Sequence, residues 1–143
     1  MATREEQQAY IDEMARRRGY VLPYHKALVA ADFDVLRAFD NVVAAVYTSA
    51  RQLDRKTKEL LFCATLTALR AGKGQLQSHM RAALDHGATA TEVLEAIEIT
   101  LPEAGIVAFQ AGFEAWREVT GAQGVEPSVA VFDAGATGAT GDD

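Results

Sequence analysis

His79 lies three residues after Leu76, on a segment whose apolar face also carries Met80, Ala83 and Leu84. An imidazole in such a stripe must find a hydrogen-bond partner or stay neutral, because burial penalises its charged form. Earlier in the chain, Glu59 stands where the charged run Asp54-Arg55-Lys56-Thr57-Lys58 gives way to Leu60, Leu61, Phe62, Cys63 and Ala64. Phe62 at i+3 and Cys63 at i+4 place this carboxylate at the rim of a buried helix face. A carboxylate that meets a buried imidazole makes a proton-transfer pair, in which the acid fixes the tautomer of the ring or acts as the base itself. The residues alone leave both readings open. His79 is a satisfied core histidine or a proton shuttle near neutral pH, and Glu59 is a solvated first-turn glutamate or its partner. Helix rise makes a direct meeting on adjacent antiparallel helices awkward, so the pair is expected to meet through bundle geometry or across a subunit boundary.

Other chemistry-bearing residues carry less. His86 stands beside Gly87 at a helix end, where a donor suits the last carbonyls. His25, after Tyr24, is ambiguous. No His, Asp or Glu set has metal-ligand spacing, so no metal is expected. Gly72-Lys73-Gly74 follows no strand and lacks the flanking pattern of a phosphate loop. Cys63, between Phe62 and Ala64, reads as a small buried hydrophobe, and as the sole cysteine it has no partner for a disulfide or a dithiol redox centre.

The elements that must position these groups read as helix after helix. Thr3 with Glu6 forms a capping box that opens a helix over 5–18, stopped by Gly19. Pro23 starts a short helix over 24–30. A longer helix over 32–49 places Leu36, Phe39, Val43, Val46 and Tyr47 on one buried stripe. Asp54 caps a helix ending near Arg70, which is apolar nearly all round after Glu59 and therefore central. Further helices are expected over 75–85, over 89–101 with the Thr89/Glu92 capping box, and over 103–119 after Pro102. The only stretch alternating like a strand is 129–132. The last residues, rich in Gly, Ala and Thr, are too small and polar to pack a core, and read as a flexible tail or an arm docking Val129, Val131 and Phe132 on a neighbouring subunit. The chain thus divides into an N-terminal helical extension (1–22), a helical domain (23–120) and a tail (121–143). The fold class is all-α, a bundle of about six to seven helices.

At 143 residues the chain is one domain with tails, long enough to bury a core. Its net charge of −6 and absence of a basic stripe argue against nucleic acid and anionic membranes as partners. No apolar stretch approaches the about 20 residues of a membrane span, and no signal-peptide pattern opens the chain, so a cytoplasmic protein is expected.

The segments 53–60, 77–84 and 87–92, together with Ala31-Asp32-Phe33 and Pro102-Glu103-Ala104-Gly105, resemble the carboxymuconolactone decarboxylase family over about residues 24–119. That resemblance implies an alkylhydroperoxidase D-like helical fold assembled into a ring, as a homo-oligomer of three or six subunits. The hydroperoxidase branch carries a Cys-x-x-Cys before the histidine, at the positions of Gly72 and Gln75 here. Both thiols are absent, and disulfide cycling needs two. The decarboxylase branch is the better match. It implies cofactor-free decarboxylation of a small carboxylated lactone, by family default 4-carboxymuconolactone in the aromatic catabolism of protocatechuate. His79 and Glu59 then become the catalytic pair. Phe62, Leu76 and Met80 would line the pocket, with Arg51, Arg55 and Arg81 as cations for the small anionic substrate. Arg81, two positions from His79, points elsewhere on its own helix and would serve a neighbouring subunit or be structural. A peroxidase-like oxidoreductase, another cofactor-free lyase, hydrolase or isomerase, and a non-catalytic small-molecule binder are the competing readings.

Overall fold

A computed structural model describes residues 2–131, and these are helical without a strand. The helices are α1 (Arg4–Arg18), α2 (Pro23–Ala31), α3 (Phe33–Val43), α4 (Arg55–Ala68), α5 (Lys73–Asp85), α6 (Ala90–Glu98), the single turn α7 (Leu101–Ala104) and α8 (Ile106–Thr120). The capping boxes at Thr3/Glu6 and Thr89/Glu92 both form, and the Asp54 carboxylate accepts from the Thr57 N–H at 2.7 Å. No helix among the described residues is long and apolar enough to cross a membrane. Val129 and Val131 are exposed and outside any strand, and Phe132 and the rest of the tail lie outside the described residues.

Two hydrophobic clusters organise the chain. The larger joins Cys63 of α4, Leu76, Met80 and Ala83 of α5, Val93 and Ile97 of α6, and Ala115 of α8. The smaller joins Met14 of α1, Val29 of α2 and Leu36 of α3. Helices α4 and α8 approach closely because Gly112 has no side chain. A Cβ there would lie 2.6 Å from the Thr67 methyl. The closing helix starts later than its periodicity predicts. Gly105, at φ 83°, separates the Pro102 turn from α8, a conformation that side-chain-bearing residues avoid.

The expected stripe on α3 is wrong in part. Leu36 and Tyr47 are buried, but Phe39 and Val46 are about half exposed, at 54% each. The inner face runs through Leu36, Asp40, Val43 and Tyr47, and a second apolar row, Val35, Phe39, Val42 and Val46, faces outward. Asp40 defeats a hydrophobic count because its charge is answered inside the fold. Arg17 and Arg18 of α1 both form ion pairs with its carboxylate, and the Tyr10 hydroxyl donates to it at 2.8 Å. The arginines at the end of α1 therefore clasp α1 to α3. After Val43 the helix widens into a π turn, Ala44–Thr48, closed by Ser49 N–H on the Ala44 carbonyl at 3.0 Å.

His25 sits beside this clasp, 1% exposed, and accepts from the Leu22 N–H at Nδ1. Burial, reinforced by the Arg18 charge, pushes its pKa down to about 4 from an ordinary 6.5. A group that must stay neutral in the fold stabilises it fully above its unfolded pKa, and that stability is lost as pH falls towards the folded value. Denaturant melts should therefore lose roughly 2–3 kcal/mol between about pH 6.5 and about pH 4.5. A His25→Gln variant should lack most of that slope, and an equal slope in the variant would assign it elsewhere.

Candidate active site

The seam between the two clusters holds the polar core. Glu59 of α4 is fully buried, deeper than the rim position its neighbours suggest. Its Oε2 lies 2.8 Å from Nδ1 of His79 on α5, within one subunit. Glu59 stands about 14 Å of helix rise before the end of α4, and His79 about 9 Å after the start of α5. The turn 69–72 and the length of the glutamate side chain absorb the difference, so the antiparallel pair meets directly.

The other carboxylate oxygen accepts from the Tyr47 hydroxyl and from Arg55 Nε, the latter at 2.7 Å. Arg55 also donates to the Tyr47 hydroxyl at 2.6 Å and to the Arg18 carbonyl at 2.9 Å, and its guanidinium lies 4.1 Å over the Tyr47 ring. Burial alone would raise the Glu59 pKa, but the hydrogen bonds from His79, Tyr47 and Arg55 outweigh it and hold the carboxyl below its ordinary range. Glu59 is therefore ionised at neutral pH, and Nδ1 of His79 is the donor between them. Burial and the bond to Glu59 raise the Tyr47 phenol, which stays protonated as a donor.

Phe62 packs against this pair, its ring centroid 4.9 Å from both His79 and Tyr47. Phe62 also borders a cavity of 470 Å³ lined by Val46, Leu53, Leu61, Gln52, Arg51 and Lys58. Lys58 is 8% exposed, and its ammonium donates to the Tyr47 and Ser49 carbonyls, with no carboxylate on it among the described residues. Arg51 makes one long contact, 3.4 Å to the Ala45 carbonyl. A larger hollow of 630 Å³, between α1 and the start of α3, is lined by none of these residues.

The expected site residues thus separate. His79, Glu59 and Phe62 come together, and Arg51 borders the adjoining cavity. Arg55 is bound to Glu59 and Tyr47, and it also borders a cavity of 320 Å³ that Arg51, Asp54 and Lys58 line. Leu76 and Met80, at 1% and 0% exposed, fill the larger core instead of lining a pocket. Arg81 is exposed and, among the described residues, reaches only Gln77, as its spacing from His79 predicts. Tyr47, Lys58 and Tyr20 are not among the site residues that the sequence led one to expect. Tyr47 was legible only as a stripe residue, and Lys58 as one member of a charged run. His86 is structural as expected, its Nδ1 on the Ala82 carbonyl at 2.8 Å. Burial pushes the Cys63 thiol up to about 12, so it is neither a thiolate nor exposed.

The described residues are all-helical and carry a buried glutamate–histidine pair on adjacent helices. The match to the carboxymuconolactone decarboxylase family model, over residues 34–118, spans more than half of the sequence, and the chain belongs to that family. No curated protein matches it.

Proposed function

We propose that this protein is a cofactor-free carboxy-lyase acting on a small carboxylated lactone, with 4-carboxymuconolactone as the family's default substrate. The observation that carries the reading is the Glu59–His79 pair, buried and joined at 2.8 Å beside an apolar cavity with two cations on its wall. Loss of carbon dioxide leaves an electron pair that delocalises into the conjugated lactone carbonyl, and a proton must then be delivered to carbon. His79 is the group to deliver it: Nε2 takes up a proton from solvent, passes it to that carbon, and is left with its lone pair. The Glu59 carboxylate at Nδ1 compensates the charge while the ring holds two protons. Arg51 and Lys58 supply the positive end for an anionic substrate on a protein of net charge −6, and Phe62, Leu61 and Val46 supply an apolar wall. A ligand that displaces the Phe62 ring from this cavity reaches the imidazole. Thiol peroxidase chemistry has little support, because Cys63 is the sole cysteine and is held protonated.

The outward row Val35, Phe39, Val42 and Val46, each more than half exposed, supports assembly into a homo-oligomer, for which the family resemblance implies three or six subunits. A cytoplasmic, catabolic setting belongs to the same reading. The test is ultraviolet monitoring of 4-carboxymuconolactone turnover without added metal, on the species that sedimentation defines. Turnover is expected, with Arg51→Ala raising KM about tenfold and changing kcat little, as loss of uniform substrate binding does. No turnover of this or related carboxylated lactones would remove the lyase reading, and a monomer would remove the assembly.

A further inference from the structure

The segment before residue 34 lies outside the family match, yet it supplies a side chain to the site. Tyr20, just after the end of α1, brings its hydroxyl to 3.4 Å from Nε2 of His79, and its ring meets the imidazole edge-on with centroids 5.1 Å apart. In the tautomer that donates from Nδ1 to the Glu59 carboxylate, Nε2 holds the lone pair, and the phenol donates to it. Burial raises the Tyr20 pKa, which keeps that proton in place at neutral pH.

Contacts on both sides of Tyr20 fix its position. The Arg18 side chain, 4% exposed, is paired with Asp40 of α3, while its carbonyl accepts from Arg55, the residue that also holds Glu59. Gly19 turns the chain at φ 81°, and on the far side the Leu22 N–H is bound to His25. The clasp between α1 and α3 thus delivers a phenol to the one imidazole nitrogen that Glu59 leaves free.

We propose that Tyr20 is a positioning residue of the Glu59–His79 pair, acting through Nε2 of His79, and that the N-terminal segment is part of the site. This deepens the lyase reading and rests on it for its kinetic consequence, but not for the contact itself. Glu59 holds one edge of the imidazole and Tyr20 the other. The ring is then fixed in one orientation with Nε2 shielded from water until a substrate replaces the hydroxyl.

The experiment compares wild type, Tyr20→Phe and Tyr24→Phe by NMR of the imidazole nitrogens and by steady-state kinetics on the carboxylated lactone. Tyr20→Phe keeps the ring packing, and thermal melts check that each variant folds. The Nε2 resonance of His79 should move in Tyr20→Phe and stay put in Tyr24→Phe. In Tyr20→Phe, kcat should fall about tenfold with KM within about twofold, a split that mere loss of stability does not produce. An unmoved Nε2 resonance overturns the contact, and a moved resonance with unchanged kcat overturns the positioning role. If the wild-type protein turns over no lactone, the lyase reading falls, and the resonance alone decides whether Tyr20 holds the ring.

Discussion

His79→Ala and Glu59→Gln should each lower kcat by about a hundredfold or more, the scale of losing a positioned acid–base group. KM should change little, since neither residue borders the cavity that Arg51 and Lys58 line. The two variants should differ in stability. Removing the imidazole leaves Glu59 held by Arg55 and Tyr47, so the carboxylate keeps partners. Neutralising Glu59 removes the charge that answers Arg55, whose side chain is 19% exposed beside a fully buried partner, and should cost a few kcal/mol, about 2–4. Because the pair acts as a unit, the double variant should be barely slower than the worse single one. Steady-state kinetics on the three variants, with denaturant melts alongside, decide the matter. Full activity in either single variant would sink the assignment of the pair.

Local signals carried the helices and misjudged what lies between them. Caps at Thr3, Asp54 and Thr89 act within one turn, so spacing alone placed those starts. The near-all-apolar run after Glu59 announced the central helix, and it packs against α5, α6 and α8. The stripe on α3 failed because a helix can carry two apolar rows, and hydrophobicity does not say which faces inward. What decided it was Asp40, whose burial depends on Arg17, Arg18 and Tyr10 far off in sequence.

The site shows the same division. His79 and Glu59 were legible because a polar group inside an apolar stripe demands a partner. Tyr20 was not, since a tyrosine after a helix-ending glycine has no periodicity to betray it. Arg55 has an i+4 relation to Glu59 that sequence could have read as an ion pair, and the structure realises it at 2.7 Å. Leu76 and Met80 share the face of His79, but only the packing of α6 and α8 over them shows that this face is closed.

Asp40→Ala should destabilise the fold by about 3–5 kcal/mol, the cost of leaving one member of a buried ion pair alone. Arg18 is 4% exposed and cannot carry its charge to water, whereas Arg17, with its side chain 31% exposed, can. Among the described residues the Nε of Arg18 has no hydrogen-bond partner even in the intact cluster, so Asp40 is its principal compensation. The cluster then contributes specificity more than net stability. A double variant with leucine at both Arg18 and Asp40 should recover most of the loss, because an apolar pair of similar bulk avoids desolvating two charges. Arg18→Leu and Asp40→Leu taken singly, with the double, form a cycle that isolates the coupling by denaturant melts. A loss below about 1 kcal/mol in Asp40→Ala would mean that Arg18 finds water, and that α1 is not anchored by this pair. If the anchor holds, the leucine pair should keep α1 docked while changing what lies next to Tyr20. Stability restored without full restoration of kcat would then separate holding the helix from aiming the phenol.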